Sequence, residues 1–446
     1  MPHAADRDAE RPAVAPAPVD QVTGATATAP RRRHPARAFL AALGPAFVAA
    51  VAYVDPGNFA ANFSAGAAHG TLLLWVLVVV NLAACFVQYL SSKLGFVTGR
   101  SLSELVGERL GPKGRALYWT QATLVVIATD IAEVIGGAVG LQLLFGIPLV
   151  AGGVITGLAS LALLWLHTRF GQRVFELVIL GLLLVIPAGF IAGLAIVPPH
   201  PDELASGLVP RFDGVDTVLL AVAMLGATVM PHVIYLHSTM GRDRRRVEDA
   251  RPHGVALRPD GRTPRFLRHT AIDVVLAMAL AGSINISMLV LAATAMRDSH
   301  AASTLEGIHS TLAEGIGPWV GFLFAVGLVI SGIASTAVGG AAGASVMDGL
   351  VARDLPIMWR RVIVILPAVV LLALVQDTTG LLILSQTLLA FGIPFAIIPL
   401  AHLSSSRAVC GELANPGWLR IVAWLIAIAI VAIDLALVAM GALGLG

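Results

Sequence analysis

Asp55-Pro56-Gly57-Asn58 interrupts an apolar run that starts near Phe39 and resumes through Phe59-Ala60-Ala61. Proline removes a hydrogen-bond donor and clashes with the preceding turn, and glycine loosens the backbone. Inside hydrocarbon, backbone groups released from a helix are tolerated only where protein buries them or a watery cavity receives them. Asp55 adds a charge that costs about 3 kcal/mol at mid-membrane unless something pairs with it. The four residues predict a membrane helix broken at mid-depth that presents oxygen ligands to a cation.

The rest of the chain supplies the membrane context. Of its 446 residues, 57% are hydrophobic and 13% charged, whereas soluble domains carry about 25% charged residues. That is the composition of an all-α integral membrane protein. Its two cysteines, Cys85 in an apolar run and Cys410 in a short polar loop, give no disulfide framework and no zinc pattern. Residues 1–37 read as a disordered cytoplasmic tail, since the first thirty are rich in Ala and Pro and lack an apolar signal-peptide core. Arg31-Arg32-Arg33 reads as a basic anchor beside the first membrane helix rather than a twin-arginine signal.

A spanning helix needs about 20 apolar residues. By that measure eleven spans are expected, near 38–66 (broken), 72–97, 115–143, 148–166, 173–197, 215–240 (broken), 268–296, 316–349, 360–376, 380–402 and 418–441. With the amino terminus inside, 27 of the 29 Lys and Arg residues fall on the inner side, leaving only Arg211 and Arg297 outside. The positive-inside rule then predicts a cytoplasmic amino terminus and an external carboxyl terminus. The long inner loop from about Gly241 to Arg268, with Arg244-Arg245-Arg246, reads as a solvated loop obeying that rule and not as a nucleic-acid site. The Ala- and Arg-rich, Lys-poor bias and the lack of targeting signals point to a bacterial inner (plasma) membrane.

Span six holds a second interruption, Gly226-Ala227-Thr228-Val229-Met230-Pro231-His232. If spans one to five form a unit, span six opens the next five, which enter the membrane from the opposite side. Two broken helices at matching places in inverted halves point to a transporter's central site. The expected division is a core of 38–402, with repeats near 38–197 and 215–402, and a peripheral eleventh helix at 418–441. Asp55 offers a carboxylate, Asn58 an amide oxygen, the unwound backbone near Ala52 and Ala227 carbonyls, and Met230 a thioether. Hard ions gain nothing from sulfur, so the mixed set points to Mn²⁺, Fe²⁺ and softer neighbours such as Cd²⁺ and Co²⁺.

These two motifs, followed by Tyr235-Leu236-His237-Ser238, resemble the Nramp family of proton-coupled divalent-metal transporters. The resemblance runs from Leu43 to the last span. It implies a LeuT-type fold of two inverted five-helix repeats, with helices 1 and 6 broken and an eleventh helix added. It also implies metal bound by Asp55, Asn58, Met230 and the Ala227 carbonyl, joined in some conformations by the Ala52 carbonyl and by Gln386. Two departures lie just past the first break: Ala61 stands where relatives often carry Thr, and Ser64 where they often carry Gln.

Asp130 and Glu133 are three apart on one face of span three, and intramembrane carboxylates are functional candidates by default, with structural ion pairs as the competing reading. The resemblance implies a proton route from Asp55 to Asp130 and out past Glu133 and Arg361 of span nine. Some relatives carry a further acid before this pair, where this chain has Thr123. His232, beside the second break, suits proton relay, tuning of the site or a satisfied polar place in the core. Gly57 and Pro231 belong to the breaks themselves, while His237, Asn81 and Asn285 are cavity-lining or helix-bridging candidates.

No resident cofactor is expected, with metal ion and proton both carried as cargo, and the chain is expected to act as a monomer in the bilayer. A membrane metallohydrolase would want His-Glu-x-x-His, whereas His232 and His237 are five apart with no glutamate between them. A channel, a Mg²⁺-type carrier and a Na⁺-coupled amino-acid carrier on the same fold are the other rivals. Met230 argues against the last two.

Overall fold

Both prolines that break membrane spans also begin helices. In the computed structural model, which describes residues 45–170, 172–249, 262–296, 304–350 and 357–442, span one consists of α1 (Pro45–Ala52) and α2 (Pro56–His69). Asp55 is the N-cap of α2, its carboxylate accepting from the Asn58 backbone N–H, and Pro56 occupies the first turn. An acidic cap followed by proline is a helix-start signal. The residues that end one half-helix therefore launch the other.

The following elements are α3 (Leu74–Thr98), α4 (Leu102–Gly107), α5 (Pro112–Phe145), α6 (Leu149–Phe170), α7 (Gln172–Ile196) and α8 (Pro201–Gly207). Span six consists of α9 (Gly214–Thr228) and α10 (Pro231–Asp249), again restarted by a proline. Beyond it come α11 (Arg262–Ala295), α12 (Leu305–Gly315), α13 (Pro318–Leu350), α14 (Ile357–Leu374), α15 (Thr378–Ala390), α16 (Ile393–Ser405), α17 (Arg407–Cys410) and α18 (Gly417–Ala442). Among the described residues, eight helical stretches are long and apolar enough to cross a membrane. The chain is a multi-pass membrane protein. Span one, described from Pro45 as halves of 8 and 14 residues, is not among those eight stretches. The expected tail, 1–37, lies outside the described residues.

Three features differ from the sequence expectation. Helix α10 continues to Asp249, through a stretch read as loop, and α11 already begins at Arg262. Arg242 holds this extension against α4 through an ion pair with Glu104. Helix α12 stands in a connection for which no helix was expected. The tenth span, read as continuous, is interrupted at Phe391-Gly392 between α15 and α16. Pro394 explains that last difference, because it has no N–H to give the Ala390 carbonyl four residues before it.

The packing repeats itself across the two halves. Helix α2 lies along α11, and α10 lies along α3, as an axis exchanging the halves requires. In both broken spans an alanine precedes the proline by four positions and a glycine follows it by ten: Ala52, Pro56, Gly66 and Ala227, Pro231, Gly241. The glycines do the same work. A Cβ on Gly66 would collide with the Leu289 carbonyl of α11, and one on Gly241 with the Ser92 carbonyl of α3. Small residues let membrane helices bring their backbones together. Helices α5 and α13 form the most extensive pair, and a Cβ on Gly332 would lie 2.8 Å from Gly137 Cα. Helix α18 packs at the edge against α16 and leaves Trp418, Ile421, Leu425 and Ile428 exposed, as a lipid-facing helix would.

Candidate metal centre

The chemistry of the centre begins with two missing donors. In a continuous helix the carbonyl of residue i accepts from the N–H of residue i+4. For Ala52 and Ala227 that residue is Pro56 or Pro231, and neither has an N–H. Both carbonyls are thus released at the two breaks, and both alanines are fully buried. Neighbouring spans satisfy other freed groups. Asn285 of α11 donates to the Tyr53 carbonyl at 2.9 Å, and Ser331 of α13 donates to that of Val54. Asn285 thus braces the first break and accepts from Asn62 at 3.2 Å.

Asp55, Asn58, Ala227 and Gln386 meet at one point. Asp55 Oδ1 accepts from the Asn58 backbone N–H and from Asn58 Nδ2, each at 2.8 Å. The same Nδ2 donates to the Ala227 carbonyl at 2.9 Å, and Gln386 Nε2 donates to Asp55 Oδ2 at 3.2 Å. The amide nitrogens therefore stand between oxygens that would otherwise repel one another. Their own oxygens, Asn58 Oδ1 and Gln386 Oε1, are buried without a hydrogen-bond partner. An unsatisfied buried acceptor costs about 1–3 kcal/mol. A cation among these groups would relieve it if both amides turned over, placing oxygen where nitrogen now sits. Met230 lies in the two-residue gap between α9 and α10 and is fully buried, as are Asp55, Asn58 and Gln386. Among the described residues no three His, Cys, Asp or Glu side chains cluster as a metal site. The oxygens gathered here belong to one carboxylate, two amides and the Ala227 carbonyl, and Met230 follows Ala227 by three residues in the second break.

Two glycines make this convergence possible. A Cβ on Gly57 would overlap the Gln386 amide, and one on Gly226 would overlap the Gln386 backbone carbonyl. Pro231 abuts Gly392, at the interruption of the tenth span.

Other predicted residues occupy the surrounding shell. His232 places Nδ1 3.3 Å from the Thr129 hydroxyl, which in turn donates to the Val125 carbonyl at 3.0 Å. With that hydroxyl proton committed, Nδ1–H is the donor, and Nε2 is a bare, buried lone pair without a partner. Asp130, next to Thr129, and Glu133, one turn further, are fully buried and face α13 at Gly339. A Cβ on Gly339 would lie 3.1 Å from Glu133 Oε2 and 3.4 Å from Asp130 Oδ1. Arg361 belongs to α14, which packs on α5, and its side chain lies outside the described residues. His237 stands apart from the centre: its Nδ1 lies 2.8 Å from Gln88 Oε1, and the Gln88 amide donates to the Tyr53 hydroxyl. Asn81 donates to the Leu77 carbonyl of its own helix at 2.8 Å and faces Gly282 of α11.

Sequence reading passed over Gln88, Thr129 and Ser331. A glutamine inside an apolar span was a usable signal for the first. Thr and Ser are too common in membrane helices to stand out.

Two inverted halves, each with a mid-span break, meeting at a buried carboxylate define a LeuT-type transporter fold. The pattern of natural resistance-associated macrophage protein-like sequences matches residues 46–440, and the chain belongs to that Nramp family. It is 49% identical over 396 residues to the divalent metal cation transporter MntH of Mycobacterium tuberculosis (strain CDC 1551 / Oshkosh), covering 89% of this chain and 90% of the relative. The MntH of Bacillus subtilis is 41% identical over 404 residues, covering 90% and 92%. Among solved structures, the Eremococcus coleocola manganese transporter superposes with a TM-score of 0.79 at 28% identity, covering 92% of this chain and 88% of that one. Mhp1, a nucleobase-cation-symport-1 family transporter, shares the fold alone, with a TM-score of 0.58 at 14% identity over 89% and 93% of the two chains.

Proposed function

We propose that this protein is a secondary transporter that imports divalent transition-metal ions, Mn²⁺ and Fe²⁺ first and Cd²⁺ and Co²⁺ with them, by alternating access coupled to proton movement. The observation that carries the proposal is the surplus of buried acceptors around Asp55. A carboxylate and a carbonyl released by proline meet at two side-chain amides, whose own oxygens are buried without partners. Relatives named as divalent-metal and manganese transporters support the same reading.

In this mechanism Asp55 neutralises the ion, and Asn58 and Gln386 turn their amides so that oxygen replaces nitrogen as the inward-facing atom. The Ala227 carbonyl, released by Pro231, exchanges the Asn58 N–H for the metal. Met230 adds the soft ligand, and the Ala52 carbonyl joins when α1 tilts inward. The ligands belong to half-helices of both repeats, so binding changes the free energy of rocking one against the other. Phe59 and Phe63 of α2 pack against Phe190 of α7 and Phe324 of α13, the pair Phe63 and Phe324 meeting edge to face at 5.2 Å, and in this mechanism that cluster is one gate. The chain Tyr53–Gln88–His237, which ties the first break to α3 and α10, is the other. Opening would break one set while keeping the other.

Protons would pass from Asp55 by way of His232 and Thr129 to Asp130, then past Glu133 toward Arg361. The protein would be a monomer in the inner membrane, with its amino terminus in the cytoplasm and no resident cofactor. The placement of positive charge supports that orientation.

The decisive variant for cargo choice is Met230→Ala. It is expected to retain part of Mn²⁺ uptake while Ca²⁺ and Mg²⁺ become effective competitors, measured as inhibition of tracer Mn²⁺ entry into proteoliposomes. A selectivity profile identical to that of the unaltered protein would remove the thioether from the mechanism and favour a Mg²⁺-type carrier.

A further inference from the structure

Helix α18 contains the most apolar of the eight spanning stretches among the described residues, yet it carries Asp434. The residue is 4% exposed, and both carboxylate oxygens are buried without a hydrogen-bond partner. It lines a cavity of about 460 Å³ between α16 and α18, whose other walls include Tyr118, Phe391, Phe395, Pro399 and Val431. The volume falls within the roughly 300–1,000 Å³ of small-molecule sites, and such sites are largely apolar with a few placed polar groups. Tyr118 cannot serve the acid, because its hydroxyl donates to the Phe395 carbonyl and accepts from Tyr235. The rim residues Phe395, Leu435 and Val438 are exposed on the apolar outer surface, so the cavity is reached from lipid.

A carboxylate inside a membrane helix is costly unless paired, and here no described residue donates to either oxygen. We propose that the cavity is a second ligand site, separate from the metal centre, which binds a single-chain lipophilic primary amine other than a bilayer phospholipid, with its ammonium on Asp434. A primary ammonium brings three N–H donors to two bare acceptors, forming charge-assisted hydrogen bonds. Tyr118, Phe391 and Phe395 line the same cavity, and its apolar walls take the alkyl body. The site does not depend on which ion the centre carries.

The test uses the full chain in phosphatidylcholine nanodiscs and a dodecylamine probe bearing a tail diazirine, with crosslinks mapped by peptide mass spectrometry. Labelling is expected on segments 391–399 and 431–438, displaced by dodecylamine and not by dodecanol. Asp434→Asn keeps the side chain's size and is expected to lower labelling about tenfold or more, as loss of a charged hydrogen bond implies. Val431→Phe fills the cavity but keeps the acid, and should lose labelling too. Unaltered elution profiles and Mn²⁺ uptake would show that both variants fold. Equal labelling by the matching diazirine alcohol, or full labelling of either variant, would overturn the proposal. Displacement by phosphatidylethanolamine added to the nanodiscs would assign the acid to a bilayer headgroup and overturn it as well.

Discussion

Asp55→Ala is expected to abolish metal uptake while leaving the protein folded. Asp55 is the only charged member of the converging set, and two amides and a backbone N–H point at its carboxylate. Changing residues that merely orient metal ligands costs about 10–100-fold in affinity, so loss of the charged ligand should exceed about 100-fold. Folding should survive, because removing a buried charge also removes its desolvation penalty. Tracer Mn²⁺ uptake into proteoliposomes, with elution profile as the folding control, measures both parts. Uptake at the unaltered rate would place the ion somewhere else in the molecule.

The second large effect concerns packing, and it separates two glycines that look alike in the sequence. Gly226→Ala pushes a methyl into the Gln386 backbone carbonyl, with the Ala390 nitrogen 3.0 Å away, so α9 and α15 must move apart as helices. Overpacking of this kind costs about 1–3 kcal/mol and more where backbone is the obstacle. The variant is expected to melt several degrees lower in detergent and to lose uptake. Gly57→Ala meets only the far end of the Gln386 side chain, which can swing away. It is expected to keep the melting temperature and weaken Mn²⁺ binding, because Gln386 leaves Asp55. Equal melting temperatures for the two variants would mean that α9 and α15 are not held at the contact distance described above.

Breaks and apolar spans were readable in the sequence because each depends on residue type within a short window. Proline and glycine in an apolar run announce an interruption, and a carboxylate there announces a cation. The third interruption, at Phe391-Gly392, used the same signal but had no acid to draw attention to it. The recurrence of Ala, Pro and Gly at equal spacing in both broken spans was also present, yet three weakly informative residues gain meaning only when the helices they separate are known. The amide orientations of Asn58 and Gln386 were out of reach. They depend on which oxygens face each other across the axis, a property of the fold and not of any local stretch. Asp434 was visible as an acid in an apolar helix, but its cavity is made jointly with α16 and α5, far away in the chain.

Coupled uptake in proteoliposomes tests the central claim most directly, with Mn²⁺ entry and lumenal pH recorded together and Ca²⁺ and Mg²⁺ offered as competitors. The expected result is saturable Mn²⁺ accumulation above the external concentration, with acidification of the lumen and little competition from either hard ion. Asp130→Asn in the same assay should silence or uncouple the pH change. Mn²⁺ entry that only follows its own gradient, with no pH change and equal passage of Ca²⁺, would contradict proton-coupled transport of transition metals by this protein.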